Sequence, residues 1–265
     1  MRTALLIIDP QVDFCDPERG ALYVPGAEQD MARLAQMILR VGPQVDAIHV
    51  TLDSHHTVHI AHPIFWQDAE GKHPPPFTPV SAADVEAGHW TTTLPENRER
   101  ALEYVHALER TGRYTLFLWP YHCLIGSLGH AVQPELFAAL REWESRYAVV
   151  NYVLKGSNLW TEHYSAIRAE VPDQDDPATE QNTDLIAALR SADRVLIAGE
   201  AGSHCVANTV RDLADAFGHH NEIEKLVLLT DAVSPVTGFE QNQIDFVADL
   251  TRRGMRLATT EQPFP

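Results

Sequence analysis

Short apolar segments alternate with amphipathic segments along most of the chain. Apolar, β-branched runs of about four to eight residues predict buried strands, and apolar residues three and four positions apart predict helices. The predicted strands are residues 4–8, 47–52, 114–118, 148–154, 194–198, 225–230 and 255–258. The predicted helices are residues 28–41, 96–110, 134–146, 184–190, 206–217 and 240–252. This alternation is typical of an α/β domain in which helices cover both faces of a parallel sheet.

Two stretches interrupt the alternation. Residues 56–95 are rich in Pro, His, Gly and Thr, and we expect a long loop region with little regular structure there. Residues 171–179 predict a shorter polar loop. Because the alternating elements continue on both sides of each stretch, no boundary separates two cores. The sequence therefore predicts one domain over residues 1–265, with about six core strands.

The charge and cysteine content narrow the classes of partner and compartment. The chain has 20 Lys and Arg against 37 Asp and Glu, a formal net charge of −17. Such a surface repels phosphate groups, so we expect a small-molecule partner and no nucleic acid or membrane. Three cysteines are too few for a disulfide scaffold, which favours a reducing, cytoplasmic setting. No apolar run approaches the roughly 18 residues of a membrane span, and the N-terminal run is too short for a signal peptide.

Chemically reactive residues follow four of the predicted strands. Asp9, Asp53 and Lys155 each end a strand, and Cys205 follows the strand at 194–198 after a short turn. The carboxyl ends of parallel strands share one edge of a sheet, where ligands bind. We therefore expect two acids, an amine and a thiol to meet at that edge.

Cys205 is the candidate nucleophile. A cysteine at a helix N-terminus, close to the ammonium of Lys155, is expected to have a pKa below its usual value. Asp9 can then take the thiol proton and later pass it to a leaving amine. The alternative interpretation is a buried apolar cysteine, a surface lysine and a strand-end acid, none of them with a catalytic role.

A second candidate site surrounds Asp53. His55 lies two residues after Asp53 and His59 four residues later, and carboxylate plus neutral imidazole suits a divalent transition metal. His122 is the best-placed candidate for a further ligand. Six other histidines are expected to be solvated loop residues and not metal ligands: His56, His62, His73, His89, His219 and His220.

The motifs resemble the nicotinamidase/pyrazinamidase branch of the isochorismatase-like cysteine hydrolases. The matching segments are residues 9–14, 51–55, 119–123, 155–156 with 164–166, 199–206 and 231–234. The resemblance extends from residue 4 to about residue 259 and leaves out residues 60–115. It implies a three-layer α/β/α fold with a mostly parallel six-stranded sheet, in a single domain with a long insertion at about 60–115.

The resemblance also implies a thioester mechanism with Asp9, Lys155 and Cys205 as catalytic residues. Cys205 attacks an amide carbonyl, and ammonia leaves with a proton from Asp9. The N–H groups of Ala201 and Cys205 form the oxyanion hole, and the Glu200–Ala201 peptide bond is cis. Water then hydrolyses the acyl-enzyme.

One divalent metal ion, of zinc, iron or manganese, is implied as cofactor. Its ligands are expected from Asp53, His55, His122 and His59, and it orients a pyridine ring by binding the ring nitrogen. Phe14 and Trp119 are expected to pack against that ring, although ordinary core packing is the alternative for both. Members of the family commonly self-associate, so a homo-oligomer is also expected.

Departures from the family pattern concern the substrate. The insertion is expected to cap or narrow the pocket, residues 202–204 differ from the usual turn, and Glu200 replaces an aliphatic residue. The leading hypothesis is a metal-containing amidase for nicotinamide or a close relative. The alternatives are a cysteine hydrolase of another small amide or carbamoyl compound, a non-catalytic binding protein, and a hydrolase whose nucleophile is metal-bound water.

Overall fold

Ten strands and nine α-helices form the structure, a computed structural model that describes residues 1–265. The strands are β1 (Thr3–Ile8), β2 (Ala47–Asp53), β3 (Trp66–Gln67), β4 (Pro79–Val80), β5 (Thr91–Thr92), β6 (Leu116–Phe117), β7 (Asn151–Lys155), β8 (Arg194–Gly199), β9 (Leu226–Leu229) and β10 (Arg256–Ala258). The helices are α1 (Val12–Cys15), α2 (Ala27–Val41), α3 (Ala82–Ala87), α4 (Arg98–Thr111), α5 (Pro134–Glu144), α6 (Thr183–Arg190), α7 (Cys205–Phe217), α8 (His220–Ile223) and α9 (Glu240–Arg253).

Six strands form one parallel sheet in the order β10-β9-β8-β1-β2-β7. The central strand β1 pairs with β2 on one side and β8 on the other, and all six of its residues are buried. A strand buried on both faces needs a continuous apolar run, which explains the sequence of β1. The predicted six-stranded parallel sheet is therefore confirmed.

Helices cover both faces of this sheet. Parallel crossovers in proteins are almost always right-handed, and with this strand order the rule puts α2 and α5 on one face, and α6, α7 and α9 on the other. Within these layers α2 packs against α5, and α7 packs against α6 and α9. The three-layer α/β/α prediction is confirmed. None of the helices is both long enough and apolar enough to cross a membrane.

The insertion corrects one prediction. Residues 56–95 form mostly irregular structure, as expected, but they contain α3 and the two-residue strands β3, β4 and β5, of which β3 pairs with β5 and β4 with β6. The segment 114–118 is not a core strand, since only β6 forms and it pairs with β4 outside the main sheet. A short apolar run indicates burial but does not identify the partner strand. A capping box of Ser81 and Asp84 starts α3 and is the local sequence signal for this helix.

The direction of strand order changes between β1 and β8. From β1 the chain proceeds outward to β2 and β7 and then returns to β8, on the other side of β1. In open parallel sheets a crevice forms at the carboxyl ends of the strands beside such a reversal. The ends of β8, β1, β2 and β7 are neighbours at this edge.

Candidate active site

The predicted catalytic residues meet around the ammonium of Lys155. Its Nζ lies 2.8 Å from Asp9 Oδ2 and 3.0 Å from Asp53 Oδ1. The same atom lies 3.6 Å from Cys205 Sγ. The exposed fractions are 0% for Asp9, 3% for Lys155 and 6% for Cys205, so water barely reaches this group.

Strand pairing and one hydroxyl group set this geometry. The register between β2 and β7 places Asp53 directly opposite Lys155. The hydroxyl of Thr51, on β2, accepts the N–H of Asp9 at 3.0 Å and donates to the Asp9 carboxylate. Asp9 itself has φ 44°, in the left-handed region that Asp tolerates better than most residues, and the chain turns there at the end of β1.

The side chain of Gln11 completes the end of β2. Its Nε2 donates to the carbonyl of Asp53 at 2.7 Å, and its Oε1 accepts the N–H of Asp53 at 2.7 Å. The carboxamide thus makes the two hydrogen bonds that the peptide groups of a neighbouring strand would make. The backbone of Asp53 is held on the side away from β7.

The residue after Lys155 must be glycine. Gly156 has φ +85°, and a Cβ there would lie 2.7 Å from Asp53 Oδ1 and 3.2 Å from His55 Cε1. Any side chain would therefore push against the carboxylate and imidazole groups that follow β2. The Lys-Gly pair lets the edge strand approach this cluster closely.

Burial changes the charge state expected for the nucleophile. Burial raises the pKa of the Cys205 thiol well above its usual value, and Asp9 and Asp53 act in the same direction against the lowering effect of Lys155. The expected low pKa of Cys205 is therefore wrong for the resting site, because burial and the two carboxylates together outweigh the effect of the ammonium. Burial also raises the pKa of Asp9 and so increases its basicity. Burial disfavours the ammonium of Lys155, but the attraction of Asp53 and Asp9 raises its pKa well above the usual value.

The nucleophile turn, residues 200–204, connects β8 to α7. Its Glu200–Ala201 peptide bond is cis, as the resemblance implied. Neither the N–H of Ala201 nor that of Cys205 donates to another backbone group. Two unused N–H groups at the start of a helix form an arrangement that can bind a developing oxyanion.

A buried carboxylate and two imidazoles form a group with metal-ligand character. Asp53 Oδ2 lies 2.9 Å from His55 Nε2 and 3.5 Å from His122 Nε2. His122 donates from Nδ1 to the carbonyl of Pro120 at 2.8 Å, and its Nε2 faces Asp53. These three side chains form one compact set, and His55, His59 and His62 form a second. One carboxylate with imidazoles fits a divalent transition metal.

His59 and His62 differ in what their ring nitrogens contact. His59 Nδ1 accepts the N–H of Ala61 at 3.1 Å, and its Nε2 lies 3.2 Å from the carbonyl of Thr161. His62 donates from Nδ1 to the carbonyl of Thr57 at 3.1 Å, and its buried Nε2 has no partner. Burial lowers the pKa of His62 to about 3, so this ring is neutral.

The expectation that His62 is a solvated loop residue is wrong, since its exposed fraction is 0%. Its position seven residues after His55, in an irregular segment, carries no periodic signal of burial. The five other histidines of that group are exposed, as predicted: His56, His73, His89, His219 and His220. His220 is the first residue of α8, however, and so is not a loop residue.

A narrow cavity opens beside Cys205. Its apolar wall is formed by Phe14, Leu22, Trp119, Tyr164 and Val236. Asp53, His122, Glu162, Ala201, His204 and Cys205 complete the lining. Phe14 and Trp119 both line this cavity. A mostly apolar lining with a few polar groups is typical of a small-molecule site.

Glu162 is a residue of this cavity that the sequence did not reveal. It is buried, and its Oε2 has no hydrogen-bond partner. Burial raises its pKa, although the charged forms of His55 and His122 oppose the rise. A carboxyl group seven residues after Lys155 matched no motif, so only the folded chain places it beside the metal-ligand group.

Comparison with known proteins gives a structural match without a sequence match. The sequence matches no protein-family model and no curated protein. The yeast nicotinamidase bound to the inhibitor nicotinaldehyde is similar in structure, with a TM-score of 0.67 and 19% identity over 97% of this chain and 99% of that chain. A nicotinamidase/pyrazinamidase from Acinetobacter baumanii gives a TM-score of 0.65 at 18% identity, over 98% and 97% of the two chains. The chain has the nicotinamidase fold.

A further protein with the nicotinamidase fold is the pyrazinamidase of Pyrococcus horikoshii, solved in complex with zinc. Its TM-score is 0.57 at 18% identity, over 98% of this chain and 99% of that chain. Identities this low establish the nicotinamidase fold alone. The reaction must therefore be argued from this chain's own residues.

Proposed function

We propose that this protein is a cysteine amidase that hydrolyses nicotinamide, or a closely related small amide, to the carboxylic acid and ammonia. The observation that carries the proposal is the buried Lys155 ammonium, in contact with both Asp9 and Cys205 beside an aromatic cavity. The likeness to the yeast nicotinamidase, with its bound nicotinaldehyde, supports a substrate built on a pyridine ring.

The first half of the reaction forms a thioester. The amide lies between Phe14 and Trp119, and Cys205 Sγ attacks its carbonyl carbon while the thiol proton passes to Asp9. Because the resting thiol is protonated, a base in the site is needed, and the raised pKa of Asp9 suits it to this role. The N–H groups of Ala201 and Cys205 stabilise the oxyanion, a contribution of about 3–4 kcal/mol per donor.

The second half releases both products. Asp9 returns the proton to the leaving nitrogen, the C–N bond breaks, and ammonia departs. Water then attacks the thioester with Asp9 as base, the C–S bond breaks, and the acid leaves as the thiol is restored. Lys155 keeps its proton throughout, stabilises the negative charge that develops on sulfur, and holds Asp9 in position.

We also propose that Asp53, His55 and His122 hold one divalent cation, which can be zinc, iron or manganese. His62 has a free Nε2 with which to add a further ligand, whereas His59 would first have to release the N–H of Ala61. When bound, the cation supplies a Lewis acid for a ring nitrogen of the substrate. The zinc of the Pyrococcus horikoshii pyrazinamidase supports zinc as the first ion to test.

The deciding experiment is ammonia release from nicotinamide by the wild type, Cys205→Ala and Cys15→Ala. Cys205→Ala is expected to lose all measurable turnover with an unchanged circular dichroism spectrum, because only the nucleophile is removed. Cys15 is another buried free cysteine, away from the cavity lining, so Cys15→Ala serves as the matched control and keeps its activity. Turnover by Cys205→Ala would contradict the thioester route and favour metal-bound water as nucleophile.

A panel of amides tests the substrate class. We expect nicotinamide to exceed benzamide, which lacks the ring nitrogen, and both to exceed simple carbamoyl compounds. The reverse order would favour the second hypothesis of a hydrolase for another small amide or carbamoyl compound. Ligand binding without turnover of any amide would indicate the non-catalytic alternative.

The cellular setting and assembly follow as further proposals. All three cysteines are free, which supports a reducing compartment such as the cytoplasm. We propose a homo-oligomer, to be measured by light scattering on the purified protein.

A further inference from the structure

A second buried pair of carboxyl groups lies outside the proposed mechanism. Glu200 is the first residue of the nucleophile turn, and Asp30 belongs to α2. Their exposed fractions are 0% and 2%. The two carboxyl groups are neighbours, because both accept hydrogen bonds from Ser234. Since Glu200 departs from the aliphatic residue usual in the resembling family, this pair is a feature of the present chain.

The hydrogen-bond partners locate a proton on Glu200. Ser234 donates its N–H to Glu200 Oε2 at 3.2 Å and its hydroxyl to Asp30 Oδ2 at 2.5 Å. Glu200 Oε1 has no hydrogen-bond partner. Two carboxylates buried side by side repel each other, which favours a proton on one of them. The guanidinium of Arg33 binds Asp30 and no cation binds Glu200, so the proton is assigned to Glu200.

The surroundings of Glu200 support the same charge state. Burial raises the pKa of Glu200 well above its usual value, and Asp30 raises it further. The other titratable or charged groups near it are Arg33 on α2 and the thiol of Cys15 on α1. The Asp231 carboxylate, in the segment before Ser234, is bound instead by the N–H and hydroxyl of Thr260, each at 2.7 Å.

Ser234 links this pair to the backbone of the nucleophile turn. Its carbonyl accepts the N–H of Gly202 at 2.7 Å. The hydroxyl of Ser203 accepts the N–H of Val236 at 3.0 Å. The turn is thus tied to the segment 234–236 at several points, and Glu200 ties that segment to α2. Ala201, whose N–H faces the developing oxyanion in the proposed reaction, lies between Glu200 and Gly202.

We propose that Glu200 is a positioning residue whose protonated carboxyl joins α2 to Ser234 and so fixes the turn that presents the Ala201 N–H to the oxyanion. This role rests on the proposed amidase function. Loss of the proton would place two negative charges side by side in a site without water and would break the link to Asp30. The proposal therefore expects turnover to fall at alkaline pH through movement of the turn.

The first test is the pH profile of kcat and KM for the wild type, Glu200→Gln, Glu200→Ala and Glu28→Gln. A Gln side chain offers an N–H to Asp30 and a carbonyl to Ser234, as the protonated Glu does. We expect Glu200→Gln to keep kcat within about threefold at neutral pH and to lack the alkaline fall. Glu200→Ala should lower kcat by about tenfold or more across the profile, with KM changed by no more than about twofold. Glu28 is exposed on the same helix, so Glu28→Gln should match the wild type.

Two outcomes of this test overturn the positioning role. One is an alkaline fall that persists unchanged in Glu200→Gln. The other is a folded Glu200→Gln variant with as little activity as Glu200→Ala, since the restored hydrogen bonds should have rescued it.

A second measurement, thermal unfolding against pH without substrate, separates this proposal from the proposed function. When folding raises the pKa of an acid, the folded protein loses stability as the pH rises above the pKa of that acid in the unfolded chain. The wild type should therefore lose stability relative to Glu200→Gln as pH increases. If the stability of the wild type and of Glu200→Gln changes with pH in the same way, Glu200 is not protonated in the folded protein. This outcome overturns the proposal whatever the activity of the two proteins. Diverging curves with no ammonia from any amide support the link and overturn the amidase function together with the positioning role.

Discussion

The structure neutralises two pairs of buried carboxyl groups in different ways. Asp9 and Asp53 share the ammonium of Lys155, whereas Glu200 and Asp30 share a proton, with Arg33 bound to Asp30. An ammonium flanked by two carboxylates keeps its charge over the working pH range. A proton between two carboxyl groups is lost when the solution becomes alkaline enough. The comparison shows that equally buried carboxyl pairs can respond differently to pH. The pair bound to Lys155 is insensitive to alkaline pH, whereas the pair of Glu200 and Asp30 sets the upper pH limit of activity in the proposed mechanism.

The largest expected effect comes from removing the shared cation. Lys155→Met leaves Asp9 and Asp53 buried without a counter-charge, so we expect a loss of stability of about 3–5 kcal/mol. We expect kcat/KM to fall by about a thousandfold or more, because the nucleophile and base lose their shared partner. Urea unfolding and ammonia release measure the two quantities. Lys72 is exposed, and Lys72→Met should change stability by less than about 0.5 kcal/mol. A Lys155→Met protein as stable as Lys72→Met would show that the pair needs no cation.

Glu170 provides a half-buried carboxyl with which to sharpen the comparison. Burial raises its pKa from 4.5 to about 7, although Arg113 opposes the rise. Below pH 4.5 both the folded and unfolded chains hold this proton. Between pH 4.5 and about 7 only the folded chain keeps it, so stability falls as pH rises and the loss is complete above that range.

Glu170→Gln should remove this loss, which amounts to about 3 kcal/mol for the whole range. The gain over the wild type should be absent near pH 4, grow to pH 7 and then level off. Chemical unfolding at a series of pH values measures it, with exposed Glu180→Gln as control. A gain that is the same at every pH would contradict the raised pKa. Used as a background, Glu170→Gln also separates this titration from that of Glu200.

The smallest effect concerns the spacing of the first pair. Gly156 and Gly126 have nearly the same φ, +85° and +86°, but a Cβ at Gly126 meets nothing within 4 Å. Both alanine variants lose the backbone freedom of glycine, at a cost of about 1 kcal/mol. Gly156→Ala should lose roughly 1–2 kcal/mol more and bind less metal, because its Cβ displaces Asp53. Thermal unfolding measures the stability of both variants, and elemental analysis measures their bound metal. Equal losses of stability in Gly156→Ala and Gly126→Ala would show that Asp53 can move aside without an energetic cost.

The first pair was predictable from the sequence and the second was not. Asp9, Asp53 and Lys155 each end a parallel strand, and the carboxyl ends of such strands share an edge whatever the strand order. Asp30 lies within a helix, where an acid usually faces solvent. Its contact with Glu200 depends on how α2 packs beside β8, which no local pattern encodes.

The same limit explains the other differences between sequence and structure. The strands of the main sheet and the six longest helices were predicted within a few residues, whereas the three short helices α1, α3 and α8 were not. The pairing of β6 with β4 depends on contacts inside the insertion. His62 and Glu162 carry no periodic signal, and they enter the site through irregular segments. The charge state of Cys205 depends on burial and on two carboxylates, quantities that exist only in the folded chain.

The carboxamide of Gln11 affects the rigidity of the end of β2, which carries Asp53. Its two hydrogen bonds replace those of a neighbouring strand, so β2 stays ordered up to its last residue, Asp53. The side chain of Asp53 therefore projects from a rigid backbone. A carboxylate in its place would have no hydrogen to give the Asp53 carbonyl and would add a charge to an already acidic pocket. The donor and the acceptor of one carboxamide thereby hold the last residue of the strand as firmly as the residues in its middle are held.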